Sequence, residues 1–298
     1  MRASLIARSP AVPKQHRFKV IAVDLDGTLL DARGAPHERD VRALQAAARA
    51  GVHVSILTGR LYSGTRSSAE AIGIMGPVGC ADGSHMVRAS DHATLVHHGL
   101  RGAHARAVRD ALGRHGPATF LFAQDAIVHD AMGEAFLGYV STWSTDVRLA
   151  ESVVAHDWWM GEDGVTAVVA VGTAAQIRGT HDEITRTVGP EAHVVSFPIR
   201  RLTDAWGMIA RAPGLTKGSA LRFVADHYGC APEDTVCVGD WLNDVSMFAV
   251  AGRSYAMGHA PDDVKKTASV VLEETAERGG GIARAIEDAF GVRADEEA

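Results

Sequence analysis

Short apolar runs and longer amphipathic segments alternate along this chain. Three runs are rich in β-branched residues, as strands buried on both faces of a sheet are: FKVIAVDL (residues 18–25), VHVSILTG (52–59) and DTVCVGD (234–240). Each run is too short for a helix and is followed by glycine or a polar residue. We therefore predict three buried strands, two early in the chain and one late.

The segments beside these runs have helical periodicity. Val41, Leu44 and Ala48 fall on one face of a predicted helix after the first run. Leu221 and Val224 begin an i, i+3, i+4, i+7 pattern that predicts a helix before the third run. Buried strands that alternate with amphipathic helices indicate an α/β fold with a doubly wound, Rossmann-like parallel sheet.

The middle of the chain has a different pattern. Short runs of alternating hydrophobicity are mixed there with helical segments near residues 103–115 and 174–188. This pattern predicts an inserted α+β unit with its own sheet. We predict a core in two segments, an insertion and two tails: 18–85 with 204–290, 86–203, and 1–17 with 291–298.

Composition and charge narrow the class of protein. The 298 residues are 46% hydrophobic and 22% charged, which suits a large folded core and argues against disorder. A formal net charge of −6 disfavours nucleic acid and anionic membranes as partners. No run approaches the roughly 18 apolar residues of a membrane span. Three scattered cysteines, with no CxxC pair and no signal peptide, predict a reducing, cytoplasmic location.

Two carboxylates stand at the end of the first predicted strand. Asp24 and Asp26 are two residues apart, so strand alternation would point both side chains the same way. Ligands of open parallel sheets bind at that edge, and Gly27 permits a sharp turn there. Adjacent carboxylates repel unless one is protonated or a cation lies between them. The segment therefore favours Mg²⁺ and a phosphate, the structural alternative being an Asx turn.

The segment DLDGTLLD resembles the first motif of the haloacid dehalogenase superfamily of phosphohydrolases. Three further motifs of that superfamily follow in the same order: ILTGR at the end of the second run, GLTKGSAL (214–221) and GDWLNDVSMF (239–248). The resemblance implies that Asp24 is the nucleophile and that Asp26 is the general acid and base. It also implies that Thr58 hydrogen-bonds a phosphoryl oxygen and that Lys217 neutralises the phosphoryl group.

The resemblance further implies a magnesium site. Asp24 and Asp240 would bind Mg²⁺ through their side chains, and Asp26 would bind it through its backbone carbonyl. Four other motif residues would support the arrangement: Gly27, Gly59, Asn243 and Asp244.

The long insertion before the third motif is similar to that of the Cof-type branch, whose members mostly hydrolyse phosphorylated sugars and related metabolites. That branch usually carries Asn-Gly where the core meets the insertion, whereas this chain has Asp82-Gly83. An added negative charge near the phosphate site would change the substrate contacts. We name Asp82 and Arg60 as the predicted substrate contacts.

The motifs together predict a Mg²⁺-dependent phosphatase that acts on a small phosphorylated metabolite through an aspartyl-phosphate, as a monomer or homodimer. A phosphomutase or phosphotransferase would share the first half-reaction and is an alternative. A non-catalytic phospho-aspartate switch is another, although receiver domains are about half this size. Dinucleotide binding is not expected, because no GxGxxG follows the first strand.

Overall fold

The computed structural model describes residues 17–189, 193–199 and 202–294, so the predicted tails lie largely outside it. In this part of the chain the strands are β1 (Val20–Val23), β2 (His53–Ile56), β3 (Pro77–Cys80), β4 (His85–Arg88), β5 (Ala93–His97), β6 (Ala118–Ala123), β7 (Ala126–His129), β8 (Val147–Leu149), β9 (Ala167–Gly172), β10 (His193–Pro198), β11 (Trp206–Arg211), β12 (Thr235–Gly239), β13 (Arg253–Ala256) and β14 (Val270–Val271). The helices described are α1 (Glu38–Arg49), α2 (Arg66–Ile72), α3 (Gly102–His115), α4 (Leu137–Val140), α5 (Ala174–Val188), α6 (Lys217–His227), α7 (Val245–Phe248), α8 (Asp262–Lys265) and α9 (Gly281–Phe290). Among these helices, none is both long and apolar enough to cross a bilayer.

The first sheet is parallel and runs in the order β14-β13-β12-β1-β2. Every residue of β1 and β12 is buried, as expected of strands covered on both faces. Val23 at the end of β1 lies between Ile56 of β2 and Val238 of β12. A bridge between Leu57 and Gly79 sets β3 beside β2, and β4 and β5 follow it as antiparallel strands.

The second sheet is mixed and runs in the order β10-β11-β9-β6-β7-β8. All its neighbours are antiparallel except β7 and β8. Apolar side chains of α3 and α5, such as Val108 and Ile177, pack against Leu121 and Val168 of this sheet to form a separate core. A parallel sheet with a second, mixed sheet inserted in the chain confirms the predicted fold class.

Strand pairing groups two segments differently from the predicted domain bounds. β4 and β5 pair with β3, beside the parallel sheet, although residue 86 was the predicted start of the insertion. β11 pairs with β9 and β10 in the second sheet, although residue 204 was the predicted return to the core. Hydrophobic alternation shows that a segment is a strand but not which sheet it joins. The bounds of the folding units therefore stay a prediction.

The helix faces follow the predicted periodicity with one exception. On α6, Leu221, Val224 and Ala225 are buried. On α1, the buried residues include Leu44, whereas Ala48 is exposed, so the prediction was wrong there. The apolar stripe of α1 is displaced by one position because Ala47, not Ala48, faces the sheet core.

Asp40, on the buried face of α1, caps α9. Its two carboxylate oxygens accept hydrogen bonds from the backbone N–H groups of Gly280, at 2.7 Å, and Ala283, at 2.8 Å. Burial raises the pKa of Asp40, although these two hydrogen bonds oppose the shift. The side chain satisfies amide groups that a helix start otherwise leaves without partners. It thereby holds α9 against α1.

We expect Asp40→Ala to lower the free energy of unfolding by about 1–3 kcal/mol, because two N–H groups lose a buried acceptor. Glu38→Ala, on the exposed side of the same helix, is the matched control. It removes only an i,i+4 ion pair with Arg42 and should change stability by no more than about 0.5 kcal/mol. Urea denaturation measures both, and equal losses would contradict the capping role.

Candidate active site

The carboxyl ends of three parallel strands bring the first site residues to one edge of the sheet. Asp24 directly follows β1, Asp240 directly follows β12, and Thr58 lies two residues beyond β2. The backbone N–H of Asp24 still donates to the carbonyl of Val238 at 3.0 Å, so the ladder continues to the site. Sheets of this kind bind ligands at this edge.

Lys217 is the first residue of α6 and points into the same place. Its Nζ lies 2.6 Å from Asp24 Oδ1 and 2.6 Å from Asp244 Oδ1, and the side chain is fully buried. The start of α6 is fixed by a capping box: Thr216 Oγ1 accepts from the N–H of Ser219, and Ser219 Oγ accepts from the N–H of Thr216. The sequence LTKGS therefore sets where the lysine enters the site.

The charges of the site are strongly coupled. Burial by itself would lower the pKa of Lys217, but Asp24, Asp244 and Asp82 outweigh it, so the pKa is raised and the ammonium stays protonated. Burial raises the pKa of Asp24 well above its usual range, and repulsion from Asp244 and Asp240 adds to the rise, which Lys217 offsets only in part. The pKa of Asp244 is raised as well, chiefly by burial.

Asp244 organises the loop that follows β12. While Oδ1 contacts Lys217, Oδ2 accepts hydrogen bonds from the N–H groups of Asp240 and Trp241, both at 2.8 Å. A Cβ on Gly239 would lie 2.5 Å from the Asp244 carboxylate, so the close approach requires glycine. Asp244 thus fixes both the ammonium of Lys217 and the backbone that carries Asp240.

Asp240 joins the first and fourth motifs. Its Oδ1 accepts a hydrogen bond from Thr28 Oγ1 at 2.9 Å, and His259 Nε2 lies 3.5 Å from its Oδ2. Gly27 has a φ of +80°, and a Cβ there would lie 2.6 Å from Asp240 Oδ2. The turn after Asp26 can approach this carboxylate only because residue 27 has no side chain.

A divalent cation fits this group of side chains. Asp24, Asp240 and Asp244 are buried, and each can present an oxygen within 4.8 Å of the others. Three carboxylates beside the single ammonium of Lys217 give a formal charge of −2, which one divalent cation balances. Carboxylate oxygens are the ligands that Mg²⁺ prefers. Asp244 is held more tightly, through Lys217 at 2.6 Å and two backbone N–H groups at 2.8 Å, whereas Asp240 Oδ2 has only a looser contact with His259 at 3.5 Å, so Asp24 and Asp240 are the better placed ligands.

Asp26 lies in a different environment from Asp24. Because β1 ends at Val23, strand alternation does not extend to these residues, and the prediction that both side chains share a strand face loses its basis. Asp24 is buried, whereas the side chain of Asp26 is 49% exposed. Arg60 pairs with both of its oxygens, through Nε at 2.8 Å and a terminal nitrogen at 2.5 Å. Arg60, a predicted substrate contact, therefore holds Asp26.

Buried Thr58 and half-buried Gly59 form a loop between β2 and Arg60. The N–H of Thr58 donates to the carbonyl of Gly79 at 2.8 Å, and Thr58 Oγ1 accepts from the N–H of Arg60 at 3.2 Å. A Cβ on Gly59 would lie 3.7 Å from Asp82 Oδ1. The loop is therefore packed directly against the turn between β3 and β4.

Asp82, the other predicted substrate contact, is buried in this wall of the site. Its N–H donates to the carbonyl of Thr58 at 2.8 Å, and its Oδ1 accepts from Asn243 Nδ2 at 2.8 Å. Its Oδ2 pairs with Arg211. Burial alone would raise the pKa of Asp82, but Arg211 and Lys217 outweigh it and hold the pKa below its usual value.

Three residues near the site were not singled out from the sequence. Thr28 belongs to the DLDGT segment, and its place in that motif was the available signal. Arg211 and His259 come from a strand of the second sheet and from a loop after β13, and nothing in their neighbours in sequence marks them. Their positions depend on pairing between distant segments, which a single sequence does not reveal.

A recess of about 610 Å³ opens beside Arg60. Residues from the segment 33–67 line one part of it, and residues from 141–147 line the other. Arg33 and several hydroxyl-bearing residues line it, among them Ser63, Ser67, Ser141 and Thr145. Its polar wall suits a hydrophilic molecule better than an apolar one.

Comparison with known proteins agrees with the geometry. The family model for haloacid dehalogenase-like hydrolases matches residues 21–286. The pyridoxal phosphate phosphatase of Escherichia coli is 27% identical over 267 residues, covering 85% of this chain and 93% of that protein. The 5-amino-6-(5-phospho-D-ribitylamino)uracil phosphatase of Bacillus subtilis is 26% identical over 271 residues, covering 90% and 94%.

The solved structures agree on the fold. A haloacid dehalogenase-like hydrolase from Bacteroides thetaiotaomicron superposes with a TM-score of 0.77 at 20% identity, covering 92% of this chain and all of that one. A second such hydrolase, from Bacillus subtilis, gives 0.74 at 22% identity, covering 90% and 99%.

We expect Gly27→Ala to displace Asp240, break its hydrogen bond with Thr28 and weaken Mg²⁺ binding by more than about tenfold. Gly34→Ala is the matched control: its φ of +78° carries the same backbone strain, but nothing lies within 4 Å of the added Cβ. Calorimetric titration with Mg²⁺ compares the two variants. Equal Mg²⁺ affinities would show that the contact with Asp240 is unimportant.

Proposed function

The chain belongs to the haloacid dehalogenase-like hydrolases, and we propose that it is a Mg²⁺-dependent phosphatase that uses Asp24 as the nucleophile on a small phosphorylated metabolite. Like the phosphatases to which it is similar, it is a phosphoric monoester hydrolase. The observation that carries the proposal is the contact of buried Asp24 with Lys217, beside the carboxylates of Asp240 and Asp244.

The metal requirement is supported by the surplus of negative charge. Asp24 and Asp240 would hold Mg²⁺ through their side chains, with the backbone carbonyl of Asp26 as a further ligand. When bound, the ion supplies a charge that lets a carboxylate approach a phosphate dianion. Asp244 and Asn243 support the site by fixing the loop that carries Asp240 and by contacting Asp82.

In the first proposed step, a carboxylate oxygen of Asp24 attacks the phosphorus atom. A bond forms between that oxygen and phosphorus while the bond from phosphorus to the leaving oxygen breaks. The electron pair of the broken bond stays with the leaving oxygen, which takes a proton from Asp26. Because Arg60 donates hydrogen bonds to both carboxylate oxygens of Asp26, Asp26 must part from Arg60 to reach the leaving oxygen.

In the second step, a water molecule attacks the phosphorus of the aspartyl-phosphate and gives a proton to Asp26. The bond between phosphorus and Asp24 breaks, which regenerates the carboxylate and releases phosphate. Lys217 and Thr58 would contact the phosphoryl oxygens, most strongly when negative charge spreads over them in the transition state. Lys217 is suited to this because its raised pKa keeps it charged.

The substrate class is supported by the relatives and by the recess beside Arg60. The two relatives act, by their names, on pyridoxal phosphate and on a phosphorylated ribityl compound, which are both small phosphate esters. The hydroxyl-lined recess would accept the leaving group of such an ester, for example a sugar phosphate. A cytoplasmic monomer or homodimer is part of the proposal and is in keeping with three free cysteines.

A phosphate-release screen over sugar phosphates, nucleotides and phosphorylated cofactors, with Mg²⁺ present, tests this function. Free phosphate is the expected product. An isomeric phosphate ester would indicate a mutase instead, and a stable phosphoprotein at neutral pH would indicate a switch.

We expect Asp24→Asn to lower kcat by more than about a thousandfold, because an amide cannot act as the nucleophile. The exposed Asp91→Asn is the control and should keep full activity. Phosphate release measures both, with circular dichroism to check folding. Strong activity in the Asp24 variant, after mass spectrometry has excluded deamidation, would reject the nucleophile.

We expect EDTA to abolish activity and added Mg²⁺ to restore it, because three buried carboxylates then regain their counter-charge.

The affinity for Mg²⁺ should fall as the pH is lowered, since the pKa values of Asp24 and Asp244 are raised and protons then compete with the metal. Calorimetric titration at several pH values measures this. Affinity that is independent of pH would contradict the assignment.

A further inference from the structure

Arg211, the last residue of β11, reaches from the second sheet into the wall of the active site. Its side chain is 6% exposed and pairs with the carboxylate of Asp82, which is 3% exposed. Arg211 belongs to the second sheet, whereas Asp82 lies in the turn between β3 and β4, so the pair lies across the contact between these two parts of the chain. A buried charge needs such a partner, because neither water nor an apolar side chain can stabilise it there.

The backbone holds Asp82 in an unusual conformation. Ala81 and Asp82 both have positive φ angles, of +46° and +51°, which L-residues adopt infrequently. Hydrogen bonds fix them against the Thr58 loop: the N–H of Ala81 donates to the carbonyl of Arg60, and that of Asp82 donates to the carbonyl of Thr58, each at 2.8 Å. Backbone strain of this kind concentrates at functional sites.

The charge of Asp82 acts directly on the lysine of the phosphate site. Asp82 is one of the carboxylates that raise the pKa of Lys217, and Lys217 in turn lowers that of Asp82. Without a partner, Asp82 would repel a phosphoryl group and compete with it for the charge of Lys217. Arg211 supplies the positive charge that cancels this effect.

We propose that Arg211 is a positioning residue that sets the affinity of the site for phosphate by neutralising Asp82. This inference rests on the phosphoryl site proposed above, because Arg211 acts on phosphate only through that site. Asp82 in turn directs the amide of Asn243, so the pair links the second sheet to the fourth motif. The position of the insertion and the affinity for phosphate then both depend on the ion pair between Arg211 and Asp82.

Titration calorimetry of inorganic phosphate into the Mg²⁺-loaded protein tests this without any turnover. Asp82→Asn removes the repulsive charge but leaves Arg211, so the Kd should fall by about tenfold. Arg211→Met leaves Asp82 unpaired, so the Kd should rise by at least about tenfold. The double variant is neutral again and should return to within about threefold of the original Kd. Arg222→Met, on the exposed face of α6, is the control and should change nothing.

A purely structural pair would not shift the Kd in opposite directions. Thermal unfolding checks each variant, and if Arg211→Met does not fold, Asp82→Asn and the double variant still decide. An unchanged or higher Kd in Asp82→Asn would overturn this role for Arg211 while leaving the proposed phosphatase intact. Absence of phosphate binding in the unaltered protein would overturn both.

Discussion

The structure depends on one buried ammonium group. Lys217 has no exposure to water, and its Nζ contacts Asp24 and Asp244 at 2.6 Å. A charge in such a place is tolerated only with partners of opposite sign, so the start of α6, the end of β1 and the loop after β12 must meet there. The remaining negative charge of the cluster suits the site to a cation. The need to neutralise the Lys217 ammonium thus brings these three segments together and gathers the carboxylates of the site.

Two carboxylates of the site can be found in the sequence because they directly follow buried strands. Asp24 and Asp240 come after apolar runs, and in parallel sheets the ends of such strands share an edge. Lys217 could be named only through the motif it belongs to, and its place at the helix start is explained by the Thr216 capping box. The parallel sheet and the inserted unit followed from periodicity alone.

Pairing between distant segments could not be predicted in this way. The salt bridge of Asp26 with Arg60 depends on a turn that begins at Leu25, two residues after β1 ends, where strand alternation no longer applies. The membership of β11 in the second sheet depends on backbone hydrogen bonds to β9 and β10. In both cases a single sequence offers several arginines or strands as equally suitable partners. Only the tertiary packing of the folded chain determines which of them pair.

The ion pair between Asp82 and Arg211 also constrains how this chain can change over evolutionary time. Loss of either residue leaves the other as an unpaired charge inside the protein, which lowers the stability of the fold more than loss of both. The two positions are therefore expected to vary in concert among descendants. A chimaera that received its insertion from a relative would have to take both residues of the pair from that relative, although Asp82 lies in the turn between β3 and β4 and Arg211 lies at the end of β11.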